Sequence, residues 1–229
     1  MLIVDFEYTG LDNSYIKDNE IIQIKGLDLE SGKSVIQNFK SKKEVTAGAH
    51  IVTGLTKNEG LDCFNADNWR KFLNRFPKKN PKLMGFSVTS DIKMLNKYEV
   101  DIYIEDLLDT LRLSPYEKRL AEEGCSLEAT YYIVTGKKPE IQNHGNIDEL
   151  TLIKEIYESV MSITDNGEKL NEFLSVMPFG HCRGMPIEEY IWNYRRAADG
   201  YRFNNDDLLA SSLNYYTPED HFDDFGFNH

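Results

Sequence analysis

The chain has 229 residues, of which 41% are hydrophobic, so it is long enough for one large domain with a smaller appendage. Its formal net charge of -12 disfavours broad, nonspecific attachment to a polyanion, because such affinity comes largely from Lys and Arg. No apolar run approaches the ~20 residues of a membrane span, and the N-terminus shows neither a basic leader nor a cleavage site, so we expect a cytoplasmic protein without membrane association.

The first predicted element is a strand that carries two carboxylates on one face. Residues 2–4 are apolar, as in a buried central strand, and Asp5 and Glu7 follow two residues apart, on the same side. Acids are costly to leave unpaired there, and carboxylate oxygens are the ligands that Mg²⁺ prefers. One interpretation is therefore a divalent-cation site; the other is a strand end at which two hydrated acids reach solvent.

A β-hairpin, a short helix and a longer helix are predicted next. Residues 20–29 and 34–39 are β-rich and joined by a short turn, so they are expected to lie antiparallel beside the first strand. Residues 46–56 contain small side chains that suit a close loop and a short helix near the strand ends. Aromatic residues at helical spacing in 67–76 predict an amphipathic helix packed on the core.

The middle of the chain is predicted to alternate strands and helices. Residues 81–86 favour an apolar strand, which leads into a helix with Asp91 in its first turn. An acid at that position interacts favourably with the helix dipole, so by itself it needs no functional explanation. Residues 100–104 are predicted to be a short strand, and 126–135 a helix closed by Gly136. A further helix is expected after residue 149.

Four separated stretches resemble, in order, the motifs of the DEDDh 3′-to-5′ exonucleases of the proofreading and RNA-trimming superfamily. Residues 5–11, Asp-Phe-Glu-Tyr-Thr-Gly-Leu, resemble the first motif, and 85–95 the second, with Ser87 where Asn or another small residue is common. Residues 106–111 are similar to the stretch that follows, and 144–149 resemble the third motif, in which a histidine precedes an acid by five positions.

This resemblance covers the predicted exonuclease domain, 1–163, and implies its fold and its metals. The implied fold is α/β: a ribonuclease H-like mixed five-stranded sheet flanked by helices. The implied cofactors are two Mg²⁺ or Mn²⁺ ions, which can neutralise a phosphate, activate a water and help the leaving oxygen. The acids that would hold them, with the first as the bridge, are Asp5, Glu7, Asp91 and Glu149.

The resemblance also implies a base and a site for the end of the substrate. His144 would take the proton from the attacking water, a task suited to a side chain whose pKa lies near the working pH. Thr9, Gly10 and Leu11 match the loop that packs near the terminal nucleotide in the family. The expected partner is the 3′ end of single-stranded DNA or RNA, or a short oligonucleotide, and the motifs do not choose among these.

The third motif departs from the family at its last acid. Five positions after His144 stands Glu149, where the family has Asp, and Asp148 lies one residue earlier. Residues four apart share a helix face, which favours Asp148, whereas the family's histidine lies at the mouth of the helix, outside regular geometry. Gly145 and Asn146 suit such an irregular entry, so we favour Glu149 as the fourth acid and keep Asp148 as the alternative.

A small α+β domain is expected at 164–216, followed by an acidic tail at 217–229. Residues 177–187 resemble the small domain that follows exonuclease X-type nucleases. Residues 161–229 hold 12 acids against 5 Lys and Arg. We expect an accessory module that forms a homo-oligomer or binds a protein partner.

Two functions of different classes are consistent with these patterns. The first is a metal-dependent 3′-5′ exonuclease that releases nucleoside monophosphates from a single-stranded 3′ end. The alternative is a catalytically weakened protein that keeps the exonuclease fold and binds nucleotides, oligonucleotides or a partner protein. The change at Glu149 is the feature that favours the alternative.

Overall fold

A five-stranded sheet lies at the centre of the fold, in a computed structural model that describes residues 1–10, 18–140, 147–165, 170–171, 174–177, 184–187, 189–190 and 208–215. The strands are, in chain order, β1 (Leu2–Tyr8), β2 (Ile21–Asp28), β3 (Ser34–Asn38), β4 (Leu83–Gly85) and β5 (Glu105–Asp106). Their spatial order is β3-β2-β1-β4-β5, with the β1–β2 and β2–β3 pairs antiparallel and the β1–β4 and β4–β5 pairs parallel. The mixed five-stranded sheet and the hairpin are therefore confirmed.

Helices flank this sheet in the described part of the chain. They are α1 (Ala47–Thr53), α2 (Ala66–Leu73), α3 (Thr89–Lys97), α4 (Leu107–Arg112), α5 (Glu117–Glu123), α6 (Leu127–Thr135), α7 (Asp148–Asp165) and α8 (Leu208–Tyr215). Gly136 closes α6 as predicted, in a left-handed conformation with φ 70°. No described helix is both long enough and apolar enough to cross a lipid bilayer.

The predicted strand at 100–104 is wrong. The fifth strand is the two-residue β5, and 100–104 connects α3 to it without ladder pairing. Val100 and Ile104 are buried, so the apolar character of this segment reflects packing under the sheet edge. A short apolar run does not by itself distinguish a strand from a buried connection.

One face of the sheet packs against the aromatic side of α2. Phe6 lies 5.8 Å from Trp69 between ring centroids, and Phe72 is fully buried. Gly26 in β2 allows this contact, because a Cβ there would lie 2.8 Å from ring atoms of Phe72 and Phe76. The close approach of the helix therefore requires a glycine in the strand.

The opposite face carries both the second core and the acids. Ile3 pairs with Leu27 across β1 and β2, and both pack in a cluster with α6 and α7, including Leu150 and Ile153. Side chains two residues apart share a strand face, so Asp5, placed after Ile3, lies on this same side. The apolar cluster thus ends where the carboxylates begin.

The described C-terminal segments form a third cluster beside α4 and α5. Its buried members are Leu174, Met177, Ile187, Tyr190, Leu209 and Leu213. The Glu117 carboxylate of α5 accepts hydrogen bonds from the backbone N–H of Ser175 and Val176 and from the Ser175 hydroxyl. The boundaries 164–216 and 217–229 stay predictions, and residues 178–183 and the whole predicted tail lie outside the described residues.

Candidate active site

Lys25 lies among the carboxylates of Asp5, Glu7 and Glu149. The β1–β2 register places Lys25 directly opposite Asp5, and the Lys25 side chain has no exposed surface. Its Nζ lies 2.6 Å from Asp5 Oδ2 and 2.6 Å from Glu7 Oε1, and it also donates to Glu149 Oε2. One ammonium group therefore joins acids from β1 and from the start of α7.

Three carboxylates converge at this point. Oxygens of Asp5, Glu7 and Glu149 all lie within 4.8 Å of one another, the single such group of potential ligands among the described residues. Glu149 is the second residue of α7 and is 9% exposed. Asp148, the alternative fourth acid, lies outside the group.

Asp91 stands beside the group and not within it. It lies in the first turn of α3, is 8% exposed, and accepts a hydrogen bond from the Tyr8 hydroxyl. Burial, together with the nearby charge of Asp5, raises the pKa of Asp91 well above its usual value. Burial beside Asp91 likewise raises the pKa of Tyr8, so the phenol keeps its proton for this bond.

A second acid, Asp106, fixes the turn that leads to Asp91. Its carboxylate accepts from the backbone N–H of Ser87 and of Val88, each at 2.9 Å, and caps α4 through Leu108 N. Ser87 has φ 58°, a left-handed conformation that is costly for a residue other than glycine. The carboxylate of Asp106 therefore holds the strained entry into α3 and the position of Asp91.

Both burial and the neighbouring charges shift the pKa values of this cluster. Burial and the neighbouring Asp5 carboxylate raise the pKa of Glu7 to about 8, against the opposite effect of Lys25. Burial alone would lower the pKa of Lys25, but the three carboxylates outweigh it and raise that pKa above its usual value. The ammonium thus stays charged and compensates part of the negative charge.

The predicted substrate loop is only partly described. Thr9 is 2% exposed; its hydroxyl accepts from Glu20 N, and its carbonyl accepts from Thr46 N at the start of α1. Gly10, the next residue, is closely packed, since a Cβ there would lie 2.6 Å from Asn19 Oδ1. Leu11 and His144 lie outside the described residues.

Sequence reasoning missed Lys25, Tyr8 and Asp106. Lys25 interrupts a strand that is buried at every position, and a lone cation in such a strand signals a buried partner. Asp106 could have been suggested by its position before an apolar helix, which is typical of an N-cap. Tyr8 gave no signal, because its partner is 83 residues away.

The three carboxylates are suitable ligands for a hard divalent cation, but the Lys25 ammonium already lies among them. Mg²⁺ and Mn²⁺ prefer carboxylate oxygens, and three of these face one point. Lys25 contacts each of the same three acids. An ion bound by all three would therefore require Lys25 to move.

Comparison with solved structures shows what this fold is similar to. Exonuclease X in complex with 5′ overhanging duplex DNA matches with a TM-score of 0.51 and 14% identity, over 74% of this chain and 94% of that one. Cell-death related nuclease 4 (CRN-4) matches with a TM-score of 0.53 and 14% identity, over 74% of this chain and 65% of that one, slightly less than two thirds. No protein-family model and no curated protein sequence matches. The chain thus has the ribonuclease H-like fold that these two nucleases share.

Proposed function

We propose that the protein is a metal-dependent 3′-5′ exonuclease of the DEDDh type, which releases nucleoside monophosphates from a single-stranded 3′ end. The observation that carries the proposal is the convergence of Asp5, Glu7 and Glu149 on one point, with Asp91 beside them. These four acids come from β1, α3 and α7, on a fold similar to that of two nucleases.

Each acid has a distinct place in the proposed chemistry. Asp5, Glu7, Asp91 and Glu149 would hold two Mg²⁺ or Mn²⁺ ions, with Asp5 as the bridge. When bound, such ions neutralise the phosphate and lower the pKa of a water. Asp91 would have to exchange its bond with Tyr8 for a metal, while Asp106 keeps the backbone of the turn in place.

The remaining roles belong to residues near the end of β1 and the start of α7. His144 would accept the proton of the attacking water, a role that rests on the sequence motif alone. Thr9 supports the loop after β1 through its hydrogen bonds with the backbone N–H groups of Glu20 and Thr46. Gly10 and Leu11 would then lie against the terminal nucleotide.

The second candidate function is binding without hydrolysis. The buried ion pairs of Lys25 favour it, because the ammonium occupies the point that the carboxylates present to a cation. Such a protein would hold nucleotides, oligonucleotides or a partner protein on an exonuclease fold. For either function, a cytoplasmic location and a partner or second copy at the C-terminal unit stay predictions.

A 5′-end-labelled single-stranded oligonucleotide separates the two functions. The protein is incubated with matched DNA and RNA strands and Mg²⁺, Mn²⁺ or EDTA, and products are separated by length while binding is measured in parallel. Metal-dependent shortening by single nucleotides from the 3′ end supports the exonuclease. Metal-dependent binding of strands that stay full length supports the second candidate, and internal cleavage contradicts both.

A further inference from the structure

Among the described residues, the ammonium of Lys25 has as many acidic partners as it has N–H donors. An ammonium carries three N–H groups and accepts no hydrogen bond. In the structure one acceptor is found on each of Asp5, Glu7 and Glu149, two of them at 2.6 Å. The lysine head therefore makes charge-assisted contacts with every carboxylate of the group.

The backbone gives Lys25 little choice of position. Strand β2 is buried at all eight positions and lies between β1 and β3. The register fixes Lys25 opposite Asp5, with Ile24 packed in the core on the other face. A lysine is rarely buried unless its charge is paired, and here Asp5, Glu7 and Glu149 pair it.

The position of the ammonium coincides with that of a cation bound by the group. Mg²⁺ binds oxygen at about 2.0–2.1 Å in octahedral geometry. The three oxygens lie within 4.8 Å of one another, so an ion shared among them would fall in the same space as Nζ. Two cations at such a distance in a buried site also repel each other strongly.

We propose that Lys25 is a built-in cation of this site: its ammonium fills the divalent-ion position formed by Asp5, Glu7 and Glu149, and an ion enters that position only by displacing it. The inference rests on the metal site of the proposed function but not on hydrolysis. It explains how three converging, partly buried carboxylates are tolerated when no divalent ion is bound. It also requires that the protein bind divalent ions more weakly than its carboxylates alone would allow.

Direct Mn²⁺ binding to the full chain tests this competition. Calorimetric titration compares the wild type with Lys25→Met, which keeps the length of the side chain and removes the charge. Lys93→Met is the matched control, because Lys93 is an exposed lysine on α3, two residues after Asp91. We expect Lys25→Met to bind Mn²⁺ roughly 10- to 100-fold more tightly, the scale on which groups touching metal ligands change affinity. Lys93→Met should bind like the wild type, and equal or weaker binding by Lys25→Met would overturn the proposal.

A second measurement uses the wild type and does not depend on the folding of a variant. Lysines are acetylated with and without saturating Mn²⁺, and the modification of each is quantified by mass spectrometry. We expect Lys25 to be protected without Mn²⁺ and modified with it, while Lys93 is modified equally in both. Continued protection of Lys25 when Mn²⁺ is bound would overturn the proposal.

The outcome is separable from that of the exonuclease assay. Loss of Lys25 protection in a wild type that does not shorten oligonucleotides would support the built-in cation and remove the proposed hydrolysis. Hydrolysis by a wild type whose Lys25 stays protected when Mn²⁺ is bound would support the exonuclease and overturn the built-in cation. A Lys25→Met protein that folds only when Mn²⁺ is added would also support the proposal, since the ion then replaces the missing ammonium.

Discussion

Lys25 and Asp5 form a cross-strand pair whose side chains meet on the buried face of the sheet, with Nζ 2.6 Å from Oδ2. The two partners of this pair are not equivalent. Within the described part of the chain Lys25 has three acidic partners, whereas Asp5 shares its cation with Glu7 and Glu149. Removing the cation therefore leaves several uncompensated charges, while removing one acid leaves the cation still paired.

This asymmetry predicts the stabilities of two variants without metal. Lys25→Met should lower the free energy of unfolding by about 3–5 kcal/mol, the cost of breaking a buried ion pair from one side. Asp5→Asn should change it by less than about 1 kcal/mol, because the amide keeps the shape and one repulsive charge is removed. Urea unfolding with EDTA measures both, and a larger loss in Asp5→Asn would contradict the arrangement around Lys25.

The third motif predicts a ranking between two neighbouring acids. Glu149→Gln should remove most hydrolytic activity and weaken Mn²⁺ binding, because an amide is a poorer ligand for a hard cation. Asp148→Asn should change both little, since Asp148 lies outside the group of converging oxygens. The two variants are compared at saturating Mn²⁺. The reverse ranking would assign the metal to Asp148, and full activity in both would mean that neither acid binds it.

The proposed base gives a prediction that separates chemistry from binding. His144→Ala should lower the rate of hydrolysis by roughly 10²–10⁴, the usual scale of general-base help, while the affinity for an oligonucleotide stays nearly unchanged. Single-turnover rates and equilibrium binding are measured on the same strand. A loss of affinity in proportion to the rate would make His144 a substrate contact.

Glu117 predicts how firmly the C-terminal segment is attached. Glu117→Ala removes the acceptor of two backbone N–H groups and the Ser175 hydroxyl, and should cost about 2–3 kcal/mol of stability. Limited proteolysis should then cut the chain faster between 165 and 175. Glu123→Ala is the control, because Glu123 lies on the same helix with an exposed ion pair to Arg119. Equal cleavage rates in both variants would show that Glu117 does not anchor this segment.

The sequence predicted those parts of the site that depend on local periodicity. Asp5 and Glu7 share a face because strand side chains alternate, and the structure brings Glu149 to the same point. The role of Glu149, and not Asp148, as the fourth acid stays a prediction. Lys25 was not predicted, because its partners depend on the β1–β2 register and on α7, which lies 124 residues away at Glu149. Local patterns carry no information on contacts of that range.

The same limit applies to the segment 100–104 and to the second motif. The apolar run 100–104 was assigned to a strand, although the ladder forms only at β5, where the backbone meets β4. Asp91 was expected in the first turn of its helix, but its bond to Tyr8 and the support from Asp106 come from distant residues. Local sequence patterns predict that Asp91 lies in the first turn of a helix, but they do not predict which residues contact its carboxylate.

The most direct test of the account compares wild type with Asp5→Ala on a 5′-end-labelled single strand in Mn²⁺. Asp5 is the acid that would bridge both ions, and its loss leaves Lys25 paired with Glu7 and Glu149, so the fold should persist. We predict shortening from the 3′ end by single nucleotides in the wild type, and none in an Asp5→Ala protein with unchanged circular dichroism. Equal shortening by both proteins would contradict the assignment of this carboxylate group as the active site.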